Sequence, residues 1–144
     1  MNDIAVKTAF YWMRESFLAL KEYPNGIKKW QEIMDKALTT GYEKMGATRL
    51  SGPKGFLEYV VERDRLLGLR AGGSIINENK FSYHIKDPFI DLKDTITKEE
   101  YEQISTYGYL KTKMNYFLGP DWKAAMQSCP WNNDKKETLW VIEK

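Results

Sequence analysis

One histidine and one cysteine are the clearest candidates for chemistry in this 144-residue chain. An unperturbed histidine titrates near neutral pH, so any acid–base role for that residue type belongs to His84. His84 lies in an alternating run in which Phe81, Tyr83 and Ile85 should point to the opposite face of a strand. If those three residues face the core, His84 faces solvent or a covering helix. A surface or structural histidine is therefore favoured over a catalytic one.

The cysteine, Cys129, lies where we predict that a short helix ends. A thiolate is favoured at a helix N-terminus or beside a cation, and neither is evident around Cys129. A buried, inert cysteine is favoured over a nucleophile. A nucleophile–base pair of Cys129 and His84 requires the fold to bring the two together. One cysteine forms no intrachain disulfide, and one cysteine with one histidine is too few for a structural zinc site. We predict no metal and no cofactor.

The aromatic content, 14% of the chain, suggests a second kind of site. Aromatic side chains most often fill a core, but they also line pockets for flat or apolar small molecules. If they line a pocket, the candidate ligand-binding residues are Tyr83, Phe89, Tyr107, Trp122, Trp131 and Trp140.

Composition limits the class of protein. Lys and Arg number 22 against 20 Asp and Glu, and 42% of residues are hydrophobic, which is typical of a globular domain. The near balance of charge argues against a nucleic-acid partner. No apolar run approaches the roughly 20 residues that span a bilayer, and the first residues lack a signal-peptide pattern. We expect one cytoplasmic domain, residues 1–144, with no membrane or nucleic-acid partner.

The periodicity predicts an α+β fold, in which a long N-terminal helix pair and further helices cover a small antiparallel sheet. Helices are expected at 3–23 and 27–45, and a third begins at Pro53 and has Arg63, Asp64 and Arg65 on its solvated side. Two short strands should flank an Asn-rich turn at 77–80. Thr97 and Glu100 match a capping box that opens a helix to residue 118. A short helix at 122–128 and a strand at 137–143 complete the prediction.

The C-terminal third resembles a known family ending. The residues that carry the resemblance are Gly119 to Trp122, Cys129 to Asp134 and the strand after them. This ending is similar to the end of 4-vinyl-reductase-type hydrocarbon-binding domains and of 2-amino-thiazoline-4-carboxylic acid hydrolase-like proteins. Only Cys129 and Asp134 correspond residue by residue. Asn133 stands where those families have glycine, and no second cysteine follows. The resemblance implies an α+β domain that binds a small, partly apolar molecule between helices and sheet, often as a homodimer.

Three functions remain open. The favoured one is binding of a small apolar or aromatic molecule in an aromatic-lined pocket. The second is a small cofactor-independent enzyme of the hydrolase or isomerase class, in which tyrosines and carboxylates work with the candidate catalytic residues His84, Cys129 and Asp134. The third is a protein-interaction domain with exposed aromatics. A homodimer is the default assembly.

Overall fold

The computed structural model describes residues 3–86, 93–132 and 136–144, with side chains from residue 8 onward. Its helices pack beside a four-stranded antiparallel sheet, which confirms the α+β prediction. Helices α1 (Asp3–Leu20) and α2 (Gly26–Lys44) form the expected N-terminal pair. The turn between them requires glycine at position 26, where a Cβ would lie 1.6 Å from the carbonyl oxygen of Leu20.

The next two helices, called below the third helix (residues 52–66) and the fourth helix (residues 98–117), are each interrupted by a π-helical segment. Helix α3 (Gly52–Phe56) runs through the π turn Leu57–Val61 into α4 (Glu62–Leu66). Helix α5 (Lys98–Ile104) runs through the π segment Ser105–Leu110 into α6 (Lys111–Phe117). Because a π turn bonds each residue to the fifth one along, it rotates every later side chain around the helix axis. A period of 3.6 throughout each helix predicts inward faces that include Leu66 in the first of these helices and Met114 and Phe117 in the second. Leu66 is exposed, whereas Met114 and Phe117 are buried as predicted.

The predicted cap of α5 is confirmed. The Thr97 hydroxyl accepts from the backbone N–H of Glu100 at 3.1 Å, and the Glu100 carboxylate accepts from the Thr97 N–H at 3.1 Å. The capping box therefore fixes where α5 begins, which in turn sets the positions of the residues that follow along this helix.

Strands β1 (Ala71–Asn77), β2 (Lys80–Lys86), β3 (Lys123–Ser128) and β4 (Glu137–Glu143) pair in the order β1-β2-β4-β3. Alternation along β2 and β4 separates a buried inner face from a half-exposed outer face, as expected for β2. The inner face of these two strands carries Phe81, Tyr83, Ile85, Thr138, Trp140 and Ile142.

The helix predicted at 122–128 is wrong. Residues Lys123–Ser128 form the edge strand β3, in which Ala125 pairs with Val141 and Met126 pairs with Trp140 of β4. Alanine and methionine favour helices intrinsically, and Asp121 resembles a helix cap. Pairing with β4 overrides that local preference, because strand propensity depends on the neighbouring strand.

Two clusters of buried side chains form the core. One lies between the sheet and the third and fourth helices, around Phe56, Tyr83 and Trp140. The other joins α1, α2 and α5 to the chain after β3, around Phe17 and Trp30. No helix in the described parts of the chain has both the length and the apolar character to cross a membrane.

Candidate functional site

A cavity of about 340 Å³ lies among the four helices, where the two core clusters meet. Its wall is formed by helices α1 and α2 together with the third and fourth helices. We call it the helical cavity. Its lining residues are Ala9, Phe10, Met13, Leu38, Tyr42, Val60, Arg63, Asp64, Leu67, Tyr109, Lys113 and Phe117.

A buried ion pair forms one wall of the helical cavity. The Lys113 ammonium lies 3.3 Å from the Asp64 carboxylate, and the two side chains are only 6% and 3% exposed. The prediction that Asp64 lies on the solvated side of its helix is therefore wrong. Removing two charges from water is costly, so a pair this deep requires further hydrogen bonds.

Two tyrosines supply those hydrogen bonds. The Tyr83 hydroxyl donates to the second oxygen of Asp64 through a short hydrogen bond. The Lys113 ammonium donates to the Tyr109 hydroxyl at 2.8 Å and lies 4.3 Å from the centre of that ring. Burial, followed by the negative charge of Asp64, raises the pKa of Tyr83 well above its ordinary value. Asp64, Lys113, Tyr83 and Tyr109 are called the polar cluster below.

Tyr42 faces the helical cavity from α2. Burial raises the pKa of its hydroxyl, against the opposing effect of the Lys113 charge, so the group stays protonated at neutral pH. Within the described residues, no hydrogen-bond partner is found for this hydroxyl. Tyr42 therefore presents an unused polar group to an otherwise mostly apolar space.

Both π segments lie close in sequence to these side chains. Asp64 follows the π turn of the third helix, and Tyr109 lies inside the π segment of the fourth. Lys113 is one helical turn after Tyr109, so both reach the same side of the fourth helix. Single π turns inside α-helices occur frequently at functional sites. Both interruptions precede the residues that form the ion pair.

The structure separates His84 from Cys129. His84 pairs with Gly72 and Leu139 on the outer face of the sheet, as its alternation predicted. Cys129 is fully buried in the second core cluster, beside Trp30 and Tyr101. The expectation of a buried Cys129 is confirmed. Neither residue lines the helical cavity.

The predicted ligand-binding residues are dispersed. The Tyr83 hydroxyl donates a hydrogen bond to Asp64, which lines the cavity. Trp140 stacks on Tyr83, with ring centres 5.7 Å apart. Trp122 packs against Phe81, and Trp131 against Tyr101. Tyr107 is 43% exposed and lines a separate polar groove. Phe89 and Asp134 lie outside the described residues.

Sequence reasoning missed most of the residues that form the site. The expectation that tyrosine hydroxyls act in the site covers Tyr109 only in general terms, and it gives no role to Lys113. One signal was available: Asp64 stands between two arginines in a helix whose other face is apolar. A second signal is the spacing, because Asp64 stands four residues after the apolar Val60 and such residues share a helix face.

The helical cavity can hold an apolar body and present hydrogen-bond donors to one end of it. No group of three metal-ligating side chains occurs in residues 3–86, 93–132 and 136–144, so the described part of the chain offers no metal centre. The chain matches no protein-family model and no curated protein.

Proposed function

We propose that this protein binds a small, mostly apolar molecule in the helical cavity. The observation that carries the proposal is a space of about 340 Å³ with apolar walls and one polar end. Ligand pockets typically measure roughly 300–1,000 Å³ and combine apolar walls with a few placed polar groups. The helical cavity falls at the small end of that range. Its ligand is therefore smaller than most cofactors.

The polar cluster supports a binding role. A buried ion pair adds little to stability, because the loss of hydration offsets most of the attraction between the charges. Strongly perturbed titratable groups beside a cleft are characteristic of functional sites. Asp64 and Lys113 form a buried ion pair beside the cavity, and Tyr42, whose pKa is raised by burial, lines the same cavity. Recognition of a ligand accounts for an ion pair that loses its hydration and adds little to stability.

The test compares two tryptophan substitutions on α2. Leu38 lines the cavity, whereas Ile33 is exposed on the same helix and lies outside the lining. Ligand-observed NMR with phenylacetate and ethylbenzene as probes measures binding to each variant. We expect Leu38→Trp to lower affinity at least about tenfold, by about 1.4 kcal/mol, and Ile33→Trp to leave it unchanged. Equal binding by the two variants contradicts the proposal.

A second candidate function is cofactor-independent catalysis in the same cavity, of the hydrolase or isomerase class. The observation that favours it is the contact between Asp64 and the Tyr83 hydroxyl, whose pKa is strongly raised. A carboxylate beside a positioned hydroxyl is one arrangement used in proton transfer. Exchange of deuterium at the carbon next to the carbonyl of a bound phenylacetate-like ligand tests it. Exchange that stops in Asp64→Asn supports this function.

The resemblance to hydrocarbon-binding domains fits small-molecule binding, although its implied pocket lies between helices and sheet whereas the helical cavity is walled by helices alone. The homodimer and the cytoplasmic location stay predictions. Tyr11 and Trp12, both more than half exposed on α1, are the aromatic side chains that a second subunit would be expected to cover. Sedimentation equilibrium of the wild type and of Trp12→Ser tests the dimer.

A further inference from the structure

The polar end of the helical cavity offers mainly donors. Both oxygens of Asp64 already accept hydrogen bonds, one from Tyr83 and one from Lys113. The Lys113 ammonium has three protons, of which two are used by Asp64 and Tyr109. The third proton remains for a ligand. A ligand that meets this end must therefore accept hydrogen bonds.

Two further donors adjoin this end. The Tyr42 hydroxyl has an unused proton, as described above. The Arg63 guanidinium carries five N–H groups, of which Nη1 donates to the Tyr59 hydroxyl at 3.1 Å and Nη2 to the sulfur of Met45 at 3.5 Å. Arg63 thus keeps donors for a ligand at the edge of the cavity.

The charges of the lining residues do not cancel. Arg63 and Lys113 are cationic and Asp64 is anionic, so the described lining carries one net positive charge. A monoanion balances that charge. A cationic ligand would face two cations, and the one carboxylate already accepts a hydrogen bond at each of its oxygens. A neutral ligand would leave a net charge next to apolar walls, where charge is poorly solvated.

We propose that the ligand is a small monoanionic carboxylate with an apolar body, whose head is held by Lys113, Tyr42 and Arg63. This inference rests on the proposed binding function and assigns the chemical class of its ligand. A carboxylate presents two acceptor oxygens, which suit converging N–H and O–H donors. The apolar body packs against the side chains of Phe10, Met13, Leu38, Val60 and Phe117.

The experiment compares four probes that share one apolar body and differ in the head group: phenylacetate, phenylacetamide, 2-phenylethylamine and ethylbenzene. Calorimetry or ligand-observed NMR measures the dissociation constant of each with the intact protein. We expect phenylacetate to bind at least about tenfold more tightly than phenylacetamide, as a charge-assisted hydrogen bond would give. The amine should bind most weakly.

Substitutions then test the head-group contacts. Tyr42→Phe and Arg63→Met leave the buried ion pair intact, and each should weaken phenylacetate about threefold to tenfold without changing ethylbenzene. Asp64→Asn combined with Lys113→Met removes both buried charges together, and should abolish the preference for the acid over the amide. Lys111→Met, two residues before Lys113 but exposed, is the matched control and should bind like the wild type.

The outcomes separate the two proposals. If the four probes bind equally and Leu38→Trp abolishes their binding, the carboxylate assignment is overturned and the binding function stands. Tighter binding of the amine, or an unchanged acid preference in both Tyr42→Phe and Arg63→Met, also overturns the assignment. If no probe binds, both proposals fail. If the double variant does not fold, Tyr42→Phe and Arg63→Met decide the question alone.

Discussion

The helical cavity and the outer face of the sheet each hold a basic side chain, but only one of them leaves room for a ligand. On the sheet, the His84 ring covers Gly72 so closely that a Cβ there would lie 2.8 Å from two ring atoms. In the cavity, Lys113 adjoins a space of about 340 Å³. Unfilled space beside a polar group, more than the residue type, therefore marks a candidate site.

The two regions also differ in what stabilises their basic side chain. His84 is half-buried at the surface, where water can solvate its ring. Lys113 is almost fully buried and instead depends on Asp64 and Tyr109 for its contacts. The fold therefore depends on the partners of Lys113 far more than on those of His84. Substitutions in the two regions should differ accordingly.

The largest expected effect is that of breaking the ion pair from one side. Lys113→Met leaves the Asp64 charge buried without its cation, and we expect it to lower the free energy of unfolding by about 3–5 kcal/mol. Urea denaturation measures the change, and Lys111→Met is the exposed control, expected within about 0.5 kcal/mol of the wild type. Adding Asp64→Asn should recover part of the loss. A wild-type midpoint in Lys113→Met contradicts the account.

Alkaline pH should expose the buried tyrosines of the cavity region. Tyr42 and Tyr83 have pKa values raised above the ordinary 10.0 in the folded state. Above pH 10 the unfolded chain therefore loses protons that the folded chain keeps. Stability is fully present below pH 10 and falls as the pH rises toward the folded-state values, by about 1.4 kcal/mol per pH unit for each tyrosine.

Tyrosinate absorbance directly measures how many of the nine tyrosines of the chain have lost their proton. At pH 11, before unfolding, at least two should remain protonated. Tyr83→Phe should make the pH dependence of the urea midpoint shallower, whereas Tyr107→Phe, an exposed control, should not. Complete titration of all nine tyrosines in the folded state contradicts the burial of Tyr42 and Tyr83.

A smaller effect is expected on the outer face of the sheet. Gly72→Ala forces a methyl group against the His84 ring, and we expect a loss of about 1 kcal/mol, the low end for overpacking because the ring can shift. The double variant with His84→Ala should recover most of that loss. Thermal unfolding of the wild type, the two single variants and the double variant gives the coupling free energy between the two positions. Additive effects contradict a direct contact between residues 72 and 84.

The sequence predicted well where local pattern and tertiary structure agree. Alternation correctly placed Phe81, Tyr83 and Ile85 on one face of β2 and His84 on the other. The capping box of Thr97 and Glu100 was predictable because it involves residues three apart. The prediction failed at β3, since only pairing with β4 makes a strand of a segment that favours a helix.

The candidate site could not be predicted from the same kind of pattern. Its charge suggests that Asp64 lies on the solvated side with its two arginine neighbours, whereas it is buried and paired with Lys113. The two residues are 49 positions apart, so no local signal connects them. Residue types that are rare in the chain drew attention to His84 and Cys129 instead.

The smallest expected effect is that of His84→Ala on ligand binding. His84 lies on the outer face of the sheet, and the wall of the helical cavity contains no residue of β2. The inner side chain next to it, Tyr83, keeps its hydrogen bond to Asp64 whatever stands at position 84. Phenylacetate affinity should therefore stay within about twofold of the wild type, as independent sites act additively. A tenfold loss in calorimetry, with unfolding unchanged, would assign chemistry to the outer face and reverse the comparison between the two regions.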